Sequence, residues 1–396
     1  MSSATNAEQE IRALLADRNL RFPACPRLVG DLSFFTMPDG LGIQVRGAER
    51  PVLIRGRYAD AALSFLRPLL DGKHTLDELL EQCPATLERV TLLRTLMLLH
   101  GKGLLAGVQT DRLPSDSARG DGASLAGDEV MQRQLLFWGR KIGVTRSASS
   151  APEVQRRLQT SRLVLIVTGL FGAATYDLLV RSGSYPASVL AWDDDQWSRA
   201  EWARGPFPPR HFTHLPSTSV DEAGQWLWPL AENTDLVVVA ARHAPADLYR
   251  IINRICLDRG CPWLRASEDG WQVEIGPYVR PHTSACFRCL ELRQASARNF
   301  AIEEHLYQEH LARPRPAGET LPAGEILPIT TLAASLVVLE VIRIVTGLAA
   351  PTLLNAVLTV DPLSGSFQSN RILRVPRCPE CGRGATFPSP EVGAGE

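Results

Sequence analysis

The sequence predicts two folded parts, an α+β unit near the N-terminus and an α/β domain built on a parallel sheet behind it. Three observations carry this. Three short apolar runs and then three helical ones precede residue 110, a Ser-, Asp- and Gly-rich stretch covers 111–128, and strands and helices alternate from Ser161 onward. A chain of 396 residues also has the length for about two or three domains. Its 42 basic and 43 acidic residues leave a net charge of −1. That balance excludes non-specific nucleic-acid binding, which draws on a cationic excess. Only Lys73, Lys102 and Lys141 are lysine.

The first 30 residues carry a short amphipathic stretch with Ile11, Leu14 and Leu15, then Pro23 and Pro26. The acidic Glu8, Glu10 and Asp17 and the lack of an apolar core argue against a signal peptide. The longest apolar run, Leu332 to Leu348, is broken by Glu340 and Arg343, so a cytoplasmic protein is expected. Strands are expected at Leu32–Thr36, Gly42–Arg46 and Pro51–Arg55, the first two joined by a turn at Pro38-Asp39-Gly40. Ala59–Leu70 has helical spacing, and Thr75-Leu-Asp-Glu78 is a capping box opening a second helix. A longer helix is expected from Thr86 to Leu99, with apolar Leu87, Val90, Leu93, Met97 and Leu98. Three strands and then three helices, the last one long, form a winged-helix-like pattern. From Asp31 to Lys102 it holds 9 basic and 9 acidic residues, which speaks against a DNA-reading helix. The expected division is 1–110 for this unit, 111–160 for a linker and connecting helix, and 161–396 for the α/β domain.

In that domain Arg162–Thr168 reads as a buried parallel strand and Leu170–Ser182 as its helix. A second strand, Ser188–Trp192, ends at Asp193-Asp194-Asp195. Thr234–Ala240, the helix Pro245–Arg259, the strand Trp271–Val279, the helix Thr331–Gly347 and the strand Ala356–Val360 complete the pattern.

The eight cysteines divide into four scattered ones and two C-x2-C pairs, Cys286/Cys289 and Cys378/Cys381. In a chain of this kind, such pairs favour one structural zinc held by four thiolates over disulfides. The site would pin the tail to the body across 88 intervening residues. Four sulfurs leave no open position for water, so no metal catalysis is expected there.

Strand, glycine turn, helix, second strand, acidic run and paired C-x2-C motifs together resemble the ThiF/MoeB-like family, relatives of ubiquitin-activating enzymes. The segments TDLVVVAARHAPADLYRIINRICLDRGCPWL (234–264) and IGPYVRPHTSACFRCLELR (275–293) are similar to that family's central strand and helix and to its approach to the first zinc pair. The resemblance covers roughly residues 160–385 and implies a Rossmann-like domain. The N-terminal unit resembles a PqqD-like RiPP recognition element, the leader-binding module of ribosomal-peptide biosynthesis. Joined to a ThiF-like domain, it resembles the ocin-ThiF-like partners of azoline-forming YcaO cyclodehydratases (the TOMM class, including bacteriocin and thiopeptide pathways). The resemblance implies a precursor-peptide leader and a separate YcaO enzyme as partners, with a possible homodimer.

An adenylating relative uses a turn of the form G-x-G-x-x-G, whose amides approach the nucleotide phosphates at a helix N-terminus. Here the turn is Val167-Thr-Gly-Leu-Phe-Gly172: Gly169 and Gly172 remain, and Val167 replaces the first glycine. Phe171 adds bulk where a phosphate would approach. Asp193 could hold a ribose, but residues 160–396 hold no lysine, and Gln196–Arg210 does not reproduce the family's arginine motif. The resulting expectation is a non-catalytic leader-recognition and scaffold protein that does not use ATP. The alternative is an enzyme adenylating a peptide carboxylate. Cys256 and Cys261 read as core, His243 as a polar loop residue, and Trp226 and Trp228 as part of an aromatic-rich region. Leader capture is expected by strand addition beside a groove framed by Val52, Leu53, Ile54 and Arg55 and by Val90, Arg94, Met97 and Leu98.

Overall fold

The computed structural model describes residues 2–382 apart from 18–19, 21, 30–31, 39–41, 48–50, 57–58, 108–125, 146, 149, 193–211, 216–219, 270–271, 298–300 and 314–325. The chain divides into two compact units, Met1–Leu158 with Thr346–Ala349 and Gln159–Val345 with Ala350–Glu396.

In the first unit, α1 (Ser2–Ala16) precedes four strands, β1 (Pro26–Leu28), β2 (Ser33–Thr36), β3 (Ile43–Arg46) and β4 (Val52–Ile54). Helices α2 (Ala59–Leu69), α3 (Leu76–Glu81) and α4 (Arg89–Gly101), strand β5 (Leu105–Gly107), and helices α5 (Ala126–Thr145) and α6 (Ala151–Thr160) follow. Strands β2, β3 and β4 form an antiparallel sheet in that order, with Phe34 opposite Val45 and Gln44 opposite Leu53. The pairing of β1 with β5 was not read from the sequence: it joins Arg27 to Ala106 across the whole unit, and three-residue strands carry no period of their own. Helix α4 begins at Arg89 rather than Thr86, because Glu88 is extended (φ −71°, ψ 133°) and Leu87 N–H closes a turn on the Pro84 carbonyl. The capping box forms as read: Thr75 N–H donates to Glu78 Oε2 at 2.7 Å and Glu78 N–H to Thr75 Oγ1 at 3.3 Å. Val45, Ile54, Leu63, Leu66, Leu92, Leu93, Leu96 and Leu99 make the core, which Ile11 and Leu15 of α1 join.

The second unit holds β6 (Leu163–Val167), α7 (Gly169–Arg181), β7 (Ser188–Trp192), β8 (Phe212–Leu215), α8 (Val220–Ala231), β9 (Leu236–Arg242) and α9 (Ala246–Asp258). Then come β10 (Trp263–Asp269), β11 (Gln272–Val279), α10 (Phe287–Ala297), α11 (Ala301–Ala312), α12 (Leu327–Thr346), β12 (Ala356–Asp361) and β13 (Ser366–Arg371). One eight-stranded sheet runs in the order β13-β12-β11-β10-β9-β6-β7-β8. It is parallel from β10 to β8 and antiparallel from β10 to β13. After β6 the chain builds outward through β7 and β8, then returns to lay β9 on the other side of β6. That reversal is a topological switch point, where open α/β sheets form a crevice at the carboxyl ends of their strands. Helices α8, α10 and α11 and strands β8, β10 and β13 are not read from the sequence. Strand β10 is polar toward its end, and its register shifts against β11 between Leu264 and Ala266, which hides the alternation.

Helix α12 is long and apolar enough by composition to cross a membrane, yet half of that window is buried in the protein. Its Glu340 is buried, accepts from Thr352 Oγ1 and Leu353 N–H at 2.8 Å, and pairs with Arg343 at 2.8 Å.

Candidate active site and cysteine cluster

Strand β6 is buried along its whole length and hands over to α7 through Thr168. Thr168 N–H donates to the Ala240 carbonyl at 3.2 Å, and its Oγ1 accepts from Arg242 N–H at 2.5 Å and donates to the Arg242 carbonyl at 3.2 Å. The hydroxyl is thereby spent on β9 and does not cap α7, whose first amides open the switch-point crevice. The two glycines of the turn differ in role. Gly169 has φ +55°, and a Cβ built on it meets nothing within 4 Å among the described residues, so open space lies beside the helix start there. A Cβ on Gly172 would fall 2.4 Å from Val167 Cβ, so Gly172 lets the helix close on the strand. Phe171, expected to add bulk at the turn, is fully buried. Asp193 and the segment Gln196–Arg210 lie outside the described residues.

The structure brings Cys286, Cys289, Cys378 and Cys381 together with every sulfur within 4.8 Å of the others, all four buried and none in a disulfide. Sulfur separations are 3.9 Å for Cys286–Cys289, 3.7 Å for Cys286–Cys378 and 3.4 Å for Cys289–Cys381. A tetrahedral ion with sulfur ligands at ~2.3 Å needs separations of about 3.8 Å, so the cluster could hold a metal. Hydrogen bonds from Cys286 and then Cys381 hold the Cys289 thiol well below its usual range, whereas Cys286 is pushed up by the same contact with Cys289. Val375 N–H also points at Cys289 Sγ, 3.4 Å away. Asn253 ties both knuckles to α9: its Oδ1 accepts from Phe287 N–H at 3.0 Å and its Nδ2 donates to Glu380. Sequence reading passed over this residue, although a lone asparagine in an apolar helix face is a signal that could have found it.

A second feature missed in the sequence is a cavity of about 340 Å³ bounded by α9, α10, α11, β10 and β11. His243 lines it, with φ 51° immediately after β9, and its Nδ1 meets Tyr307 Oη at 3.1 Å. Ala246 N–H donates to Gln308 Oε1 at 2.8 Å, a second tie between α9 and α11. The three arginines of the lining are matched by carboxylates. Arg265 donates to Glu274 at 3.0 Å, while Arg250 and Arg288 reach Glu291 at 2.8 and 3.2 Å.

The residues read as a leader groove divide by exposure. Strand β4 is an edge strand, with Val52 half-buried, Ile54 buried, Leu53 38% exposed and Arg55 exposed. On α4, Val90 is buried, Met97 half-buried, and Arg94 and Leu98 exposed. Cys256 and Cys261 are both buried, and Trp226 and Trp228 are exposed, with Arg259 stacked over Trp228 at 4.0 Å.

The second unit is thus an α/β domain with a switch-point crevice, a glycine turn after its first strand and a four-cysteine cluster. Residues 218–381 match the ThiF family model. The chain shares its fold with the microcin C7 biosynthetic enzyme MccB in complex with N-formylated MccA (TM-score 0.60, 17% identity, 90% of this chain and 99% of that one). E. coli MccB with ATP gives a TM-score of 0.59 at 15% identity over the same shares. A heterocyclase in complex with substrate and cofactor matches with a TM-score of 0.55 and 16% identity, over 90% of this chain and 39% of that one. No curated protein matches the chain in sequence.

The expectation of a non-catalytic, ATP-free scaffold is therefore corrected. MccB is described as a biosynthetic enzyme and has been solved with ATP and with AMPCPP, and this chain shares its fold over 90% of its length. Among the described residues the space beside Gly169 is also open.

Proposed function

We propose that this protein is an ATP-dependent enzyme that adenylates a carboxyl group of a ribosomally made peptide during its maturation. The observation that carries the reading is the open, uncapped start of α7 at Gly169, placed at the switch point between β6 and β9. Amides at a helix N-terminus favour phosphate oxygens through their unpaired donors and the helix dipole. The reaction joins the peptide carboxylate to the α-phosphate and releases pyrophosphate. With no lysine after residue 160, arginine supplies the countercharge, and Arg242 stands beside the turn through its backbone bonds to Thr168.

In the same reading residues 1–110 form a winged-helix recognition element that holds the leader. The exposed edge of β4 offers main-chain hydrogen bonds at Val52–Arg55, and Arg94 and Leu98 stand exposed on α4. The four cysteines hold one structural zinc as thiolates. A YcaO-type partner plays no part in this proposal, because the chain completes the activation itself.

Calorimetric titration of the full chain with AMPCPP and magnesium tests the reading. Binding is expected, with a loss of at least about tenfold in Gly169→Asp, which sets a carboxylate against the phosphate oxygens. A folded wild-type chain that takes up no AMPCPP overturns it.

A further inference from the structure

The three-stranded sheet of the first unit has two edges. One, β4, carries the leader in the function proposed above. The other, β2, pairs on its outer side with no strand among the described residues. Met37 N–H donates to the Gly42 carbonyl, and the β2–β3 register runs on from there without a shift. Hydrogen-bonded and non-bonded pairs alternate along an antiparallel ladder, so the N–H and C=O of Phe34 and Thr36 point to the free edge. Phe34 stands opposite Val45, and both belong to the face turned to the core.

Beside that edge lies an open slot of about 580 Å³, contained within the first unit. It is lined by Leu28, Leu32 and Phe34 and, from α2, by Ser64, Arg67 and Pro68. The three apolar side chains are half-buried and the three from α2 are exposed, so all six are accessible to a ligand. The Arg67 guanidinium lies over the Phe34 ring at 4.6 Å, and among the described residues no carboxylate pairs with it. An apolar slot is thus bordered by one uncommitted cation and by a row of unpaired backbone groups.

These features specify the ligand. A strand added to β2 takes up the free N–H and C=O of Phe34 and Thr36, and every second side chain of it falls on the Phe34 face, over the slot. An apolar residue at such a position covers Leu28, Leu32 and Phe34, and an acidic one two positions away meets Arg67. A helical ligand would leave the edge groups unpaired. We propose that the β2 edge and its slot hold a second stretch of the substrate peptide, extended, with an apolar residue and an aspartate or glutamate two positions apart. That the peptide is the substrate rests on the function proposed above, whereas the recognition chemistry rests on β2 and α2 alone.

Fluorescence polarisation at low ionic strength, with the full chain and three labelled heptapeptides, tests it. The probes are STLTETS, STLTKTS and STSTETS. STLTETS is expected to bind, and each of the others to bind about fivefold more weakly, one for the lost charge pairing and one for the lost apolar contact. Arg67→Glu should reverse the preference and favour STLTKTS, a result that loss of folding does not produce. Ser64→Trp should fill the slot and bring STLTETS down to the level of STSTETS. Each variant is compared at an unchanged melting transition. Arg67→Gln, expected to bind STLTETS and STLTKTS equally, replaces Arg67→Glu if that variant does not fold. No binding of STLTETS, equal binding of the glutamate and lysine probes by the wild type, or an unreversed preference in folded Arg67→Glu overturns the proposal. AMPCPP uptake is read on the same samples. Probe binding without AMPCPP uptake strikes the adenylating function and leaves the slot a peptide site, and AMPCPP uptake without probe binding strikes the slot alone.

Discussion

The cysteine cluster and the glycine turn lie in the same unit, and each announces itself by one residue type at short spacing, yet the chemistry of the first was legible in the sequence and that of the second was not. A thiolate's capacity to bind metal belongs to the side chain, so two C-x2-C pairs retain their meaning wherever the fold takes them, and the fold takes all four sulfurs to within 4.8 Å. A phosphate-binding turn is made of backbone amides. Its competence depends on which way neighbouring side chains leave the chain, and letters alone do not state that direction. Phe171 reads as an obstacle in the sequence and is core in the structure. Gly169 and Gly172 are the same letter, one facing open space and the other pressed on Val167.

Removing the cysteine cluster should have the largest effect. The double variant Cys378→Ser, Cys381→Ser is expected to lose its zinc, from about one ion per chain to none, and to lower the melting temperature of the second unit by roughly 10 °C or more. Metal analysis with scanning calorimetry reads both, and full zinc content in the double variant would refute the four-thiolate site.

Within the turn, Gly172→Ala should cost about 1–3 kcal/mol in urea denaturation, because the new methyl lands 2.4 Å from Val167 Cβ, where strand and helix backbones are fixed. Gly169→Ala should cost less, about 1 kcal/mol, since only the left-handed backbone at φ +55° opposes it and the space is open. Equal costs at the two positions would erase the distinction drawn between them.

The smallest expected effect is electrostatic and lies in the first unit. The Thr75 N–H bond, then the Thr75 side chain, holds the exposed Glu78 carboxyl below its ordinary value of 4.5. A carboxyl depressed in the folded state stabilises above its unfolded pKa, and that contribution disappears as pH falls through the folded value. Stability should therefore decline as the solution is acidified below about pH 4.5. Glu78→Gln should lack that component of the slope in melts taken across this range. An identical slope in both proteins would remove the capping carboxylate from the acid response.

Much of the framework was readable in advance because its signals are local. The unbroken apolar runs at β6 and β9 fit a strand buried on both faces, and the Thr75–Glu78 box marked a helix start to the residue. The failures share a cause too. Strands β1 and β5 exist only by pairing with each other, β10 hides its alternation in a register shift, and Glu88 ends extended where periodicity alone would continue the helix. The cavity was illegible for the same reason. Its lining joins Tyr249 on α9 to Arg265 on β10, and His243 to Tyr307, 64 residues apart.

The sequence by itself determined the sheet-and-helix texture from residue 161 onward and which four cysteines gather. These follow from composition, period and side-chain chemistry, which do not change with context. Only the tertiary structure decided that the space beside Gly169 is open among the described residues, that Phe171 is buried, and that His243 meets Tyr307 at one cavity. Each of those is a matter of direction and of distance between residues far apart in the chain. Packing fixes such relations only after the strands of the sheet have found their order.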